Sequence, residues 1–327
     1  MTVGTTSDFN LGRNEIITEA LRTLRVISGT QTASGDQITA CSVKLNLMLR
    51  AWQSDGLHVW TQDTGVLFQT SGQAKYSTDT DRMCNLDDLV VTSIDTAAVA
   101  GATVLILDDT TDMAAADEIG VLLDDATMQW TTIVSVDSAT QVTITAALTD
   151  DAAIGNNVYA FTTRLGRLVK VYDDTRVRNM TAGASSTTQY NETPIFLFSR
   201  QEYNILSNKT NTGLTTQLYF QPLRDKASFW LWPVPNNSIN FVLFTYERSL
   251  LDFDTATNFA DAPAEWTRTF VWCLAAEIGP QFGVPLDRLA DVTQRANAMR
   301  DKLLDWDNDE YSIRIQPDYR AGYPFGQ

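Results

Sequence analysis

Two amphipathic segments near the start of the chain constrain its fold more than any other feature. The first segment follows Asn14, a residue type that often caps a helix, and Glu15 and Glu19 suit the positive end of a helix dipole. Its apolar residues repeat at helical spacing at Ile16, Ile17, Ala20, Leu21 and Leu24. The pattern predicts an amphipathic helix with one apolar face.

A second helix is predicted after the linker GTQTASGDQ, in which Gly29 and Gly35 break the helical pattern. Ser34 or Asp36 can cap this helix, and Gly56 can end it. Its apolar residues are Ile38, Cys41, Leu45, Met48, Leu49 and Trp52. Two helices with a short connection are expected to pack antiparallel and to need a further apolar partner.

The other end of the chain supplies that partner. Asp261 and Pro263 predict the start of a helix, AEWTRTFVWCLAAEI, which Gly279 and Pro280 end. After QFGVP, a last helix is predicted over LDRLADVTQRANAMRDKLLDW, because apolar residues recur there every three or four positions. We expect the helices of both chain ends to form one bundle, with the middle of the chain looped out between them.

Length and composition indicate a globular protein with two structural units, since 327 residues exceed one average domain. The chain has no run of about 18 apolar residues, and the start MTVGTTSDFN lacks the features of a signal peptide. We therefore expect a soluble protein, made in the cytoplasm, with no membrane partner. Its scattered cysteines, Cys41, Cys84 and Cys273, favour buried, reduced thiols over disulfides.

The net charge of −16 argues against tight binding of nucleic acid, because phosphate contacts need clustered Lys and Arg. Between Val91 and Thr163 the chain has 11 acidic residues and no Lys or Arg. Short β-branched runs separated by turn residues predict an inserted small β-barrel or sandwich there. Its aspartate pairs, such as Asp108 with Asp109, are interpreted as turn residues rather than a cation site.

The sequences on both sides of this insert predict a second β-region. Runs such as VLFQTSG before the insert and RLVKVYDD, PIFLFSR and NFVLFTYERSL after it alternate like half-buried antiparallel strands. We expect both flanks to belong to one sheet that the insert interrupts at a loop. The segment PVPNNS is predicted to form a hairpin turn.

Residues that could support catalysis or hold a cofactor are scarce. His58 is the only histidine, so the sequence offers no second His for a zinc cluster and little basis for a catalytic triad. No phosphate-binding GxxxxGK[ST] motif is present. Asp305, Asp307 and Asp309 resemble the start of a calcium loop, but Glu310 replaces its glycine. We expect no enzyme activity, cofactor or metal, although paired carboxylates of a cell-wall hydrolase are compatible with so acidic a chain.

Beyond Trp306 the chain loses helical periodicity but keeps apolar residues. We expect this tail to become ordered against another subunit or protein, or to fold back on its own bundle.

Several segments, in their order along the chain, resemble the head-to-tail adaptor proteins of short-tailed double-stranded DNA phages, also called connector, tail accessory or packaged-DNA stabilisation proteins. They are ALRTLRVISGTQTASGDQITACSVKLNLMLRAWQSDGLHVW, SRQEYNILSNKTNTGLTTQLYFQP, WLWPVPNN, ERSLLDFDTATNFADAPAEWTRTFVWCLAAEIGPQFGVP and the final helix. The resemblance covers nearly the whole chain outside the insert.

This resemblance implies a virion protein at the head–tail junction, in a homo-oligomeric ring of twelve subunits under the portal protein. The ring would extend the DNA channel, help to retain packaged DNA and provide the platform for tail nozzle or needle proteins. Double-stranded DNA would pass through the channel without tight binding. The C-terminal tail would grip the portal, through Tyr311, Ile313, Arg314, Ile315, Tyr319, Arg320, Tyr323 and Phe325.

The β-rich middle departs from the compact members of that family, so an alternative is a carbohydrate- or receptor-binding tail protein that acts through the insert. The predicted fold class is α+β, with a helical bundle from both termini, an antiparallel β-region between them and an inserted small β-barrel or sandwich. The predicted parts are the N-terminal hairpin 1–60, the β-region 61–90 and 164–252, the insert 91–163, the C-terminal helices 253–306 and the tail 307–327.

Overall fold

The computed structural model describes residues 10–55, 61–180 and 191–306. The helices are α1 (Arg13–Thr23), α2 (Gly35–Ser54), α3 (Arg200–Ile205), α4 (Thr267–Ile278) and α5 (Leu286–Trp306). The strands are β1 (Gln62–Phe68), β2 (Lys75–Ser77), β3 (Met83–Asn85), β4 (Val90–Thr96), β5 (Val104–Leu107), β6 (Glu118–Leu122), β7 (Met128–Ser138), β8 (Gln141–Ile144), β9 (Asn157–Phe161), β10 (Leu168–Val171), β11 (Arg176–Asn179), β12 (Asn191–Pro194), β13 (Phe196–Phe198), β14 (Thr212–Gly213), β15 (Gln217–Pro222), β16 (Ala227–Trp232), β17 (Val234–Pro235) and β18 (Phe241–Arg248). The predicted α+β class is confirmed, with five described helices and mainly antiparallel strands.

The chain divides into two compact units. A helical unit is made of Met1–Trp60 and Leu250–Gln327, and a β unit is made of Thr61–Ser249.

In the helical unit, α4 packs against α1, α2 and α5. The shared core contains Ile16, Leu21, Cys41, Leu45, Trp52, Trp266, Phe270, Leu274 and Val292, all buried. Helix α1 presents no apolar residue to solvent, because Ile16, Ile17, Ala20 and Leu21 are fully covered. Burying side chains of this size contributes about 1.5 to 3 kcal/mol each, so this core is the main source of stability for the unit.

The start of α1 differs from the sequence prediction. Gly12, not Asn14, is the residue before the helix, and its N–H donates to the Glu15 carboxylate at 2.9 Å. Gly12 also forms a backbone bridge with Phe259, which fixes where the helix begins. Asn14 therefore lies inside the helix, where its side-chain oxygen accepts from Arg13 Nε at 3.2 Å.

For α2, the structure selects Ser34 from the two predicted caps. The Ser34 hydroxyl accepts the Gln37 N–H at 3.4 Å, and the Gln37 side chain accepts the Ser34 N–H at 2.9 Å. This reciprocal pair satisfies two N–H groups that the helix itself cannot bond. Asp36 lies in the first turn, where its charge complements the helix dipole.

The β unit contains two sheets that share a core. The first sheet has the order β12–β11–β18–β1–β3, with β10 also paired to β18, and the second has the order β13–β15–β16–β2. Leu67, Val242 and Phe244 of the first sheet share a core with Leu218 and Phe229 of the second. Each sheet contains strands from both sides of the insert, as expected, but the flanks form two sheets rather than the single sheet predicted.

Strand β18 explains this difference. Val242 and Phe244 belong to the core shared by the two sheets, whereas Phe241 and Leu243 alternate with them and belong to another core. Successive side chains of a strand point to opposite faces, so β18 is buried on both faces rather than half-buried. A strand with two apolar faces needs a covering layer on each side.

One further expectation for this region is wrong. The segment PVPNNS does not form a hairpin, because β16 pairs with β15 and β2 whereas β18 pairs with β1, β10 and β11. The chain between them crosses from one sheet to the other. The region is mainly antiparallel, as expected, with two parallel pairings, β13 with β15 and β14 with β17.

Strands β4–β5–β8–β7–β6–β9 form a closed barrel, which leaves no free strand edge. Its interior is filled by aliphatic residues that include Leu105, Ile119, Val142 and Val158. On its outside, Tyr159, Phe161 and Trp130 pack against Phe68 and Phe241 of the first sheet. The barrel is therefore fixed to the sheet by an aromatic junction.

Candidate assembly surface

The polar contacts of α2 fix this helix within its unit. Arg50 forms an ion pair with Asp252 at 2.7 Å, and the Asn46 side-chain oxygen accepts the Phe253 N–H at 3.0 Å. These contacts hold the outward face of α2 in a defined position.

That outward face carries an apolar stripe, which we define as Ala40, Val43, Leu47 and Ala51. The four residues recur at spacings of three and four, so they lie along one side of the helix. Val43 and Leu47 are 59% and 58% exposed, although side chains of this class are most often buried. The apolar spacing of the sequence predicted only the opposite, buried face of α2, so this stripe was not predicted. The sequence pattern that could have predicted the stripe is a second set of apolar residues, which lies on a different side of the helix from the buried set.

Helix α5 has a different outward face. Asp287, Asp291, Asp301 and Asp305 are exposed, together with Ala290, Gln294, Arg295, Ala298 and Lys302. Arg288 and Arg300 instead turn towards the rest of the unit, where Arg288 donates to the Thr23 carbonyl at 3.2 Å and Arg300 pairs with Asp55. The outward face of α5 is therefore acidic, with small residues between the carboxylates.

A cleft of about 260 Å³ opens between α2, α4 and α5. Met48, Trp52 and Cys273 line it, and Glu277 and Arg300 are the charged residues beside them. Burial raises the pKa of the Cys273 thiol to about 12, so this sulfur is protonated at neutral pH and acts as a packing group. The cleft offers apolar surface and charge but no activated nucleophile.

The aspartates of the barrel are engaged in turns. The Asp109 carboxylate accepts the N–H and the hydroxyl of Thr111, and the Asp125 carboxylate accepts the same two groups of Thr127. Hydrogen bonds from these threonine hydroxyls lower the pKa of both carboxyls. Asp108 accepts from the Ser93 hydroxyl. These contacts support the interpretation of the aspartate pairs as turn residues.

The cysteines are free and buried, as expected from their spacing. The eight predicted portal-binding residues, from Tyr311 to Phe325, lie outside the described residues. The same is true of His58 and of Asp307 and Asp309 in the calcium-like segment. In the described ranges, no three His, Cys, Asp or Glu side chains come together as a metal site, and no helix is long and apolar enough to cross a membrane.

In a comparison with known proteins, no protein-family model matches the chain, and no curated protein matches it in sequence.

Proposed function

We propose that this chain is a structural head-to-tail adaptor of a short-tailed double-stranded DNA phage, and that it forms a ring of twelve subunits under the portal. The observation that carries this proposal is the shared core of the helical unit, in which Leu45 and Trp52 from one end of the chain pack with Phe270 and Leu274 from the other. The resemblance leads us to expect a helical bundle built from both termini that forms the ring. The β-region and the inserted barrel depart from the compact members of that family.

The charge of the chain supports the same role. A channel through which DNA moves must not bind the phosphate backbone tightly. This chain has 40 acidic residues and 24 Lys and Arg, so its net charge repels phosphate. Several arginines are also paired with neighbouring carboxylates, among them Arg82 and Arg164 with Glu118, and Arg176 and Arg178 with Glu192. We infer that DNA passes the ring without tight binding.

In this proposal the helical unit forms the ring, and the tail Asp307–Gln327 binds the portal protein. The opposite end of the ring receives the nozzle or needle proteins of the tail. The protein resides in the virion at the head–tail junction, and it needs no cofactor, metal or catalytic residue.

The alternative, a receptor-binding protein that acts through the barrel, has less support. Sugar-binding surfaces use exposed aromatic rings, but Tyr159 and Phe161 are fully buried. The Trp130 ring packs edge-on against Phe68 at 4.7 Å. These three aromatic residues of the barrel therefore contribute to its attachment to the sheet.

Electron microscopy of the full chain mixed with its portal protein tests the proposal. We expect a ring coaxial with the portal dodecamer and in contact with it. A folded chain truncated after Trp306 should no longer join the portal, and the matched control is a full-length chain in which only Tyr203, inside the β unit, is changed to Phe. Failure of the full chain to form any ring on the portal would rule out the adaptor function. If the truncated chain still binds the portal normally, the tail is not the portal-binding segment.

A further inference from the structure

The outward faces of α2 and α5 differ in chemistry. Both helices pack on α4, and α1 also packs on α2 and α4. The stripe on α2 is apolar, whereas the outward face of α5 combines carboxylates with Ala290 and Ala298. A subunit with two different surfaces of this kind can bind its copies head to tail, and such contacts form a ring when the rotation from copy to copy closes on itself.

The two faces are also complementary in charge. The stripe on α2 is flanked by Lys44 and Arg50, both exposed, although Arg50 pairs with Asp252 and Asp36 lies in the first turn. The face of α5 carries Asp287, Asp301 and Asp305 beside Lys302, together with an ion pair between Asp291 and Arg295. Small residues on both faces let two helices approach to about 8 to 10 Å between their axes. Val43 and Leu47 would then lie between the small side chains of the facing helix.

We propose that α5 of a second copy of this chain docks on the Ala40–Val43–Leu47–Ala51 stripe of α2. This inference rests on the proposed ring and names the two surfaces that build it. Lys44 faces the carboxylates of the partner's α5, and the contact buries Val43 and Leu47. Because the two surfaces are different, an open row of copies keeps one free α2 stripe at one end and one free α5 face at the other until the ring closes.

Site-directed cross-linking of full-length chains on the portal tests this contact. One chain carries Leu47→Cys and a second, tagged chain carries Gln294→Cys. Both positions lie near the middle of their helices, so they come close whether the helices run parallel or antiparallel. The wild-type cysteines are buried, so wild-type protein treated with the same short bis-maleimide is the background control.

We expect a covalent dimer from the mixed variants, at least tenfold more abundant than from either variant alone. Adding Val43→Asp to the Leu47→Cys chain should reduce this product at least fivefold, with an unchanged melting curve, because Val43 is exposed in the single chain. If two copies of the Leu47→Cys chain cross-link efficiently with each other, the contact is two-fold symmetric, with α2 on α2. That result would overturn the head-to-tail contact. Rings visible by electron microscopy without a mixed cross-link would overturn this interface but not the adaptor function. Absence of any ring would overturn both.

Discussion

The indole of Trp52 in α2 stacks on the ring of Phe270 in α4, with the ring centroids 5.3 Å apart and the planes 18° from parallel. Trp266 lies beside this pair, with its centroid 6.1 Å from that of Trp52. Trp52 belongs to the first sixth of the chain and Phe270 to its last fifth. The stack therefore fastens the two ends of the chain together, and the integrity of the helical unit depends on it.

Replacing Trp52 by Ala should destabilise the helical unit by about 3 to 5 kcal/mol, because it removes a buried aromatic side chain and leaves a cavity beside Phe270. Urea unfolding followed by circular dichroism at 222 nm measures this loss. Leu47→Ala is the matched control on the same helix, since Leu47 is exposed, and it should change stability by less than about 0.5 kcal/mol in dilute solution. Equal losses for the two variants would contradict the packing role of Trp52.

A charged cluster joins the barrel to its surroundings, and it predicts a second effect. The Glu118 carboxylate binds Arg82 at 3.2 Å and also binds Arg164, and its side chain is only 15% exposed. Glu118→Gln removes the charge that balances the two guanidinium groups, so we expect a loss of about 1 to 3 kcal/mol. This loss of stability is measured by following the thermal unfolding of the β unit by calorimetry. Lys226→Met, which breaks the exposed Lys226–Asp79 pair, is the control and should leave the melting temperature unchanged.

The helices were predictable because their signals are local. The last helix has the predicted bounds, from Leu286 to Trp306, since its apolar spacing and its flanking residues agree. The start of α1 was not predictable from Asn14, because the deciding contact is the backbone bridge from Gly12 to Phe259 at the other end of the chain. Local capping preferences give way when a distant segment fixes the backbone.

The sheets were less predictable for a related reason. An apolar strand such as β18 shows that burial is extensive, but its sequence does not say which strands lie beside it or that two different layers cover its faces. The prediction of a hairpin at PVPNNS was wrong because turn residues also occur where a chain crosses from one sheet to another. The outward stripe on α2 was missed because the predicted apolar face, from Ile38 to Trp52, accounts for a helix by itself, and Val43 and Leu47 were assigned to neither face.

A glycine in the barrel allows a tryptophan to lie flat across its strand. Gly120 is the pairing partner of Trp130, and a Cβ at position 120 would lie 2.8 Å from the indole carbons. Gly120→Ala should therefore displace Trp130 from Phe68 and destabilise the barrel by about 1 to 3 kcal/mol, with a red shift of tryptophan fluorescence. Gly166→Ala is the control, because a Cβ there meets nothing within 4 Å. An unchanged spectrum of Gly120→Ala would show that Trp130 is not held by this contact.

The buried thiols predict how stability changes in alkaline solution. Burial raises the pKa of Cys41 to about 11 and that of Cys273 to about 12, from an ordinary value of 9.0. The folded state therefore favours the protonated thiols, and this contribution is fully present below pH 9 and is lost as the pH rises towards 11 and 12. Urea midpoints measured from pH 8 to pH 11 should fall over this range. The double variant Cys41→Ala, Cys273→Ala should show a smaller decrease, and an identical decrease would assign the effect to the other buried groups whose pKa burial raises, Cys84 and the buried tyrosines.

The last prediction concerns removal of the barrel. Its first and last strands are neighbours, since Val90 pairs with Ala160, and the N–H groups of Thr162 and Thr163 both donate to the Asp88 carboxylate. A two-glycine linker from Leu89 to Thr162 can therefore replace residues 90–161 without moving the sheet. The deletion also exposes Phe68 and Phe241, which Tyr159 and Phe161 cover in the intact protein.

We therefore expect the simple deletion to aggregate, and the same deletion with Phe68→Thr and Phe241→Thr to be monodisperse by light scattering. Both threonine substitutions in the full-length chain serve as the control, and they should loosen the barrel rather than increase solubility. Particles assembled with the soluble deletion variant should retain their DNA, because the proposed ring contacts lie in the helical unit. If particles that contain this folded variant lose their DNA, the barrel rather than the helical unit is needed to retain it.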